Sequence, residues 1–116
     1  KEIMSIKIRK AVESDSPFLA QMILQSSRAA KKEGIFDLIY QADDKGVLNY
    51  LEKLTKTTAK NHCHYNNFLI AELDGKSVGT LCSYEPRIST KEAFIDALIE
   101  SGAPDNVSEI LEVIYT

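Results

Sequence analysis

The sequence predicts an α/β fold of the α+β type, in which a mixed, mostly antiparallel sheet is flanked by helices in the order β-α-α-β-β-α-β. Three observations predict it. Apolar and charged residues alternate near the N-terminus, apolar residues recur at helical spacing in three segments, and Asp74-Gly75 separates two segments typical of strands. The chain has 116 residues, so we expect a single domain over residues 1–116.

The first half of the chain predicts one strand and two helices. In residues 3–11, Ile6 and Ile8 alternate with charged residues, which is typical of a half-buried strand. Pro17 suits the first turn of a helix that continues to about Ala30. Residues 35–40 are apolar but irregular and predict a loop or a short turn of helix with its side chains turned inward. A second helix follows, with its apolar face formed by Val47, Leu48, Leu51 and Leu54.

The second half predicts a hairpin, a helix and a last strand. Residues 68–72 and 77–84 form the hairpin, because Asp74-Gly75 suits a turn in which both central residues have positive φ. Residues 89–92 fit a capping box formed by Ser89 and Glu92, and Gly102 ends the helix that follows. Residues 110–115 are rich in β-branched and aromatic residues and predict the last strand.

Composition argues against several classes of partner and location. The net charge is −3 and the pI is about 5.4, whereas nucleic-acid-binding domains usually carry a basic face. We therefore expect no nucleic-acid partner. No apolar run approaches the ~20 residues of a membrane span, so we expect no membrane segment. Two cysteines and no secretion signal predict free thiols and a cytoplasmic location.

Two segments resemble the GNAT family of N-acetyltransferases. The first has the sequence IRKA at residues 8–11 and continues with Asp15 and Leu19, similar to the strand and helix start that open the family's domain. The second, residues 68–79, has the sequence FLIAELDGKSVG and is similar to the family's second and third strands. The resemblance covers most of the chain. The predicted helix over residues 90–101 departs from the family's commonest layout.

The resemblance implies transfer of an acetyl group from acetyl-CoA to an amine acceptor. It also implies a carboxylate on the fourth strand that helps to remove a proton, and Glu112 is the candidate, with a solvent-facing strand residue as the alternative. The family's coenzyme loop contains Gly-x-Gly, and none of the five glycines here has that spacing. We therefore expect this chain to be the acceptor-side, N-terminal portion of an incomplete GNAT-like fold, without acetyl-CoA binding or activity on its own.

The segment between the two predicted helices resembles the family's acceptor-binding side. Phe36, Tyr40 and Asp43 are the candidates for shaping that pocket and attracting a cationic amine. Simple core packing is the alternative for the two aromatic residues. Helix capping is the alternative for Asp43, because carboxylates favour helix N-termini.

The segment His62-Cys63-His64 suggests two further kinds of chemistry. On a strand, the two imidazoles would lie on one face as zinc ligands, but the chain has no other histidine and only one other thiol, so we expect no metal. A Cys63–His64 nucleophile pair is disfavoured because adjacent strand residues point to opposite faces. We expect Cys82 to be a small core residue.

A second hypothesis is a non-catalytic α/β module that binds a protein partner. A last strand with an open edge would expose unpaired backbone groups, which favour pairing with another strand. Such an edge predicts association, with a homodimer as the simplest form.

Overall fold

The computed structural model describes residues 5–59, 61–82 and 90–115, with side chains described as far as residue 112. It confirms a mixed fold of helices and an antiparallel sheet. The elements are β1 (Ile6–Lys10), α1 (Ser16–Arg28), α2 (Ile35–Tyr40), α3 (Asp44–Leu54), β2 (Phe68–Leu73), β3 (Lys76–Cys82), α4 (Lys91–Ser101) and α5 (Val107–Tyr115), with short 3₁₀ turns at Glu13–Asp15 and Tyr65–Asn67.

The described sheet has three antiparallel strands in the order β1-β2-β3. Ala71 in the middle of β2 lies opposite Ile8 on one side and Gly79 on the other. The predicted hairpin is confirmed, since Asp74 and Gly75 have φ values of 51° and 84°. Glycine adopts this left-handed conformation without steric cost, and aspartate tolerates it better than most residues. This local turn sets the pairing of Leu73 with Lys76 and of Glu72 with Ser77, and the register shifts by one residue between Glu72 and Ala71.

The helices cover one face of the sheet, the face that carries Phe68 and Ile70. Both side chains are buried, and they join helical residues such as Leu19, Leu51 and Leu98 in one hydrophobic core. This core explains why α1 and α3 form as predicted, because each presents an apolar stripe to it. Residues 35–40, for which the sequence left open a loop or a short turn of helix, form the helix α2 with Phe36, Ile39 and Tyr40 buried. None of the described helices has the length and apolar composition that crossing a membrane requires.

The opposite face of the sheet is open and partly apolar. Ile6 and Ile8 in β1 are 71% and 58% exposed, and Val78 and Leu81 in β3 are also exposed. The predicted strand is confirmed, but the expectation that its isoleucines form a buried face is wrong. Strand pairing places Ile8 beside Ala71 and Arg9 beside Ile70, so the helices pack on the side that carries Arg9.

Arg9 joins β1, β2 and the start of α1. Its Nε donates to Glu72 Oε2 at 3.0 Å, and its terminal nitrogens donate to the two carboxylate oxygens of Asp15 at 2.8 and 2.9 Å. Asp15 also accepts a hydrogen bond from the backbone amide of Val12. The Arg9 guanidinium lowers the pKa of the Asp15 carboxyl. Two residues that carry the family resemblance therefore form a structural ion pair.

The last predicted strand is wrong, because residues 107–115 form helix α5. Val107 and Leu111 lie one helical turn apart and are both buried. α5 packs against α2 and α4, so these two side chains complete the core only in a helix. Burial at i, i+4 spacing therefore outweighs the β-branched composition. The observed order ends in two helices, and the fourth strand is not found among the described residues.

The third predicted helix is confirmed as α4, but its cap differs from the prediction. Thr90 is the N-cap residue, and its hydroxyl accepts from the backbone amide of Ala93 at 3.1 Å. The predicted capping residue Ser89 lies outside the described residues. Gly102 ends α4 with a φ of 114°, as its position after the apolar face predicts.

Candidate functional site

An open cavity of about 360 Å³ lies where α1, the start of α2, the loop of residues 61–64 and the adjoining ends of β2 and β3 meet. Its volume lies within the range of roughly 300–1,000 Å³ that is usual for small-molecule sites. Apolar, sulfur-containing and small polar side chains line it: Met22, Ile23, Ser26, Ser27, Phe36, His62, Cys63, Phe68, Thr80, Leu81 and Cys82.

The cavity is graded from a buried apolar floor to an exposed rim. Ile23, Phe36, Cys63 and Phe68 are each less than 10% exposed. Ser26, Leu81 and Cys82 are exposed. A ligand here would therefore place an apolar part against the floor and keep a polar part close to water.

Asn61 fixes the loop that carries His62 and Cys63. The Asn61 side chain is buried, and its amide nitrogen donates to Leu54 O at 3.2 Å and to Thr57 Oγ1 at 2.9 Å. Its carbonyl oxygen accepts from the backbone amide of Cys63 at 2.7 Å. The loop belongs to no strand or helix, and these hydrogen bonds hold it in a defined conformation. They therefore keep the Cys63 thiol at the cavity floor.

Phe36 is held by the short helix α2, which an ion pair anchors to α1. The Asp37 carboxylate accepts from the Gly34 amide at 2.7 Å, which caps α2. Arg28 at the end of α1 donates to Asp37 at 2.7 and 3.0 Å and to Asp44 at 2.8 Å. Three helices are thus joined beside the cavity by one guanidinium group.

Among the described residues that line the cavity, none carries a formal charge at neutral pH. Burial lowers the pKa of the His62 imidazole, so its neutral form is favoured. Burial raises the pKa of the Cys63 thiol to about 12 and also raises that of Cys82. Both cysteines are free thiols, and the Cys82 thiol donates to the carbonyl oxygen of His62 at 3.4 Å. This environment disfavours a thiolate nucleophile and favours neutral ligand groups.

The structure places only one of the predicted acceptor residues in the cavity. Phe36 forms part of its floor. Tyr40 packs in the core, where its hydroxyl lies 2.6 Å from the Ser101 hydroxyl and its ring stacks on Tyr50 at a centroid distance of 4.8 Å. Asp43 caps α3 by accepting from the Gly46 amide at 2.8 Å. Tyr40 and Asp43 therefore have the structural roles that the sequence left as alternatives.

The predicted position of Glu112 on a fourth strand is wrong. Glu112 lies on helix α5, is exposed, and is not among the described residues that line the cavity. The error has the same cause as the error in the last strand, since burial of Val107 and Leu111 requires a helix at this position.

The cavity gathers residues for which the sequence suggested other roles. His62, Cys63 and His64 lie in a loop rather than on a strand, so the strand-based argument about their directions does not hold. The ring nitrogen of His64 accepts from the Asn66 amide and caps the following 3₁₀ turn. Cys82 is exposed, so the prediction of a core residue is wrong. No group of three or more metal-ligating side chains was found in the described part of the chain.

Comparison of the chain with protein-family models, with curated proteins and with solved structures gives no match.

Proposed function

We propose that this chain is the acceptor-side part of an N-acetyltransferase of the GNAT type, which transfers an acetyl group from acetyl-CoA to an amine. The observation that carries the proposal is the antiparallel order β1-β2-β3, with β1 joined to β2 by helices that pack on one face of the sheet. This is the arrangement that the two resembling segments imply. The cavity between those helices and β3 supplies a site for the acceptor.

The residues of this chain would bind and orient the amine. Holding an acceptor in a defined position makes attack on a thioester effectively unimolecular. The floor residues Phe36 and Phe68 would fix the body of the acceptor, and Ser26 and Thr80, which also line the cavity, would offer their hydroxyl groups to its amine. Glu112 lies on α5, away from the residues that line the cavity, and we assign it no proton transfer.

The starts of helices α1, α2 and α3 do not fit the pyrophosphate of acetyl-CoA. A helix N-terminus suits an anion when its amides are available. Here Asp15 lies at the start of α1, Asp37 accepts from an amide at the start of α2, and Asp43 does so at the start of α3. These carboxylates would repel phosphate groups. Other residues of the protein would have to bind the coenzyme.

Acetyl-CoA binding and acetyl transfer by the full gene product test the proposal. Calorimetry should detect acetyl-CoA binding, and mass spectrometry should detect addition of one acetyl group to members of a panel of amines. The 116-residue chain alone should show neither. A full gene product that neither binds acetyl-CoA nor acetylates any amine would refute the proposal.

A second candidate function is a protein-interaction module, and the open face of the sheet favours it. Ile6, Ile8, Val78 and Leu81 expose apolar area on the two outer strands of the described sheet. Exposed apolar patches and strand edges mark association surfaces. The association predicted for a fourth strand would then occur through β1 or β3, and a homodimer is its simplest form.

Sedimentation velocity tests this second function. The wild-type chain should associate at high concentration, and Ile8→Lys should weaken that association by placing a charge on the open face. Lys7→Glu, which changes an exposed charge on the same strand, is the matched control. A monomeric profile at every concentration would count against the module. We also place the protein in the cytoplasm, consistent with its two free thiols, and subcellular fractionation tests that location.

A further inference from the structure

The chemistry of the cavity lining goes further than the proposed function and indicates which kind of amine binds there. Two phenyl rings, Phe36 and Phe68, and three sulfur atoms, from Met22, Cys63 and Cys82, line one space of about 360 Å³. Aromatic rings pair favourably with other rings in offset or edge-to-face geometry, and sulfur atoms favour contact with ring edges. This combination suits an aromatic guest better than a purely aliphatic one.

The size of the cavity is sufficient for an aromatic guest. An apolar cavity of about 150 Å³ accommodates a benzene molecule. The present volume of about 360 Å³ is more than twice as large, so a ring with an alkyl arm fits, and the open rim leaves the end of that arm in contact with water.

The lack of charge in the described lining disfavours a diamine as the acceptor. The described lining residues supply no carboxylate to pair with a second ammonium group, and burial of an unpaired charge is costly. The lining offers the hydroxyl groups of Ser26, Ser27 and Thr80, of which Ser27 already donates to Leu24 O. Hydroxyl groups can hydrogen-bond one amine at the rim, but they cannot replace a counter-ion for a polycation.

We propose that the cavity binds an arylalkylamine, with the aromatic ring against Phe36, Cys63 and Phe68 and the amine at the rim near Ser26 and Thr80. This assignment rests on the proposed function in so far as it makes that amine the acceptor of the acetyl group. It places the reacting nitrogen outside the apolar floor, where an acyl donor can reach it.

Binding is tested on the 116-residue chain with three probes. 2-Phenylethylamine should shift the amide resonances of residues that line the cavity and should slow alkylation of Cys82 by iodoacetamide, located by peptide mass mapping. 2-Cyclohexylethylamine should bind about fivefold more weakly, because it lacks the ring–ring and ring–sulfur contacts. Butane-1,4-diamine should bind at least tenfold more weakly. Equal binding of all three probes, or no binding of the phenyl probe, overturns the inference.

Two substitutions locate the binding. Ser26→Leu and Thr80→Ile should each narrow the cavity and weaken 2-phenylethylamine binding about tenfold. Gln25→Leu adds a leucine at the neighbouring exposed position of α1, which does not line this cavity. This control should bind 2-phenylethylamine as the wild type does. Unchanged binding in Ser26→Leu and Thr80→Ile, with the folded spectrum retained, would place the ligand elsewhere.

Acetyl transfer by the full gene product separates this inference from the proposed function. Transfer to 2-phenylethylamine in preference to butane-1,4-diamine supports both. Transfer to amines without any preference for the aromatic one supports the proposed function and overturns the inference. Binding of 2-phenylethylamine without acetylation of any amine supports the ligand class and overturns the acetyltransferase proposal.

Discussion

Replacing Asn61 by alanine should destabilise the protein more than any other single change in the loop beside the cavity. Asn61 is fully buried and makes three side-chain hydrogen bonds, to Leu54 O, Thr57 Oγ1 and the Cys63 amide. Removing a partner leaves buried donors and acceptors unsatisfied, at roughly 1–3 kcal/mol each. Some of these groups have another partner, since Leu54 O also accepts from Thr57 Oγ1 at 3.4 Å.

The expected loss in the free energy of unfolding is about 3 kcal/mol, or about 1 kcal/mol for each lost bond. That is a large share of the roughly 5–15 kcal/mol of a typical domain. With an m-value of about 2 kcal/mol/M, the urea midpoint should fall by about 1.5 M. Hydrogen exchange at the Cys63 amide should accelerate more than exchange in β2, because the loop loses its anchor before the sheet opens.

Asn66→Ala is the matched control, because Asn66 is exposed in the same segment. It should change the free energy of unfolding by no more than about 0.5 kcal/mol. A loss below 1 kcal/mol in Asn61→Ala, or equal losses in the two variants, would refute the view that Asn61 holds this loop.

Three further predictions follow from the contacts between helices. Hydrogen bonds from Arg28 lower the pKa values of the Asp37 and Asp44 carboxyls in the folded protein. The two ionised carboxylates therefore stabilise the fold fully above the ordinary carboxyl pKa of about 4, and this stabilisation is lost as the pH falls through their lowered folded-state pKa values. Urea unfolding should therefore show stability falling in acid, and Arg28→Met should flatten that dependence; an unchanged pH profile in the variant would contradict the assignment. Gly102→Ala should lower the free energy of unfolding by about 2 kcal/mol, because Gly102 has a φ of 114° and a Cβ there would lie 2.8 Å from the Tyr50 ring. Gly79→Ala should lower it far less, because the space around Gly79 is open. Equal decreases in melting temperature in the two variants would argue against this explanation. Tyr40→Phe should lower the free energy of unfolding by about 1 kcal/mol, because it removes the hydrogen bond with Ser101, and it should leave 2-phenylethylamine binding unchanged. A loss of 2-phenylethylamine binding would place Tyr40 in the acceptor site.

Local chemistry determined the parts of the fold that the sequence predicted well. The Asp74-Gly75 turn depends only on residues that accept positive φ, and the helix ends at Asp43 and Gly102 depend on groups within one turn of the chain. The apolar stripes of α1 and α3 depend on spacing alone. Such features can be predicted because their energies arise between near neighbours.

Tertiary packing decided the features that the sequence predicted wrongly. Residues 110–115 have the composition of a strand but form part of α5, because Val107 and Leu111 complete a core against α2 and α4. The isoleucines of β1 alternate as a buried face would, but the helices lie on the other side of the sheet. Alternation fixes which residues share a face of a strand, and only the position of the helices fixes which face is buried.

The same distinction applies to the candidate site. The family resemblance suggested Phe36 as a candidate acceptor residue, and the possible roles of the histidine–cysteine segment were judged as they would apply on a strand. The structure brings Phe36, Cys63 and Cys82 to one cavity, although they are far apart in the chain. A cavity forms where the side chains of separate helices and strands leave space between them unfilled. The sequence therefore determined the turns, caps and amphipathic stripes of this protein, whereas the long-range packing of α1, α2 and the sheet determined which side chains can meet a ligand.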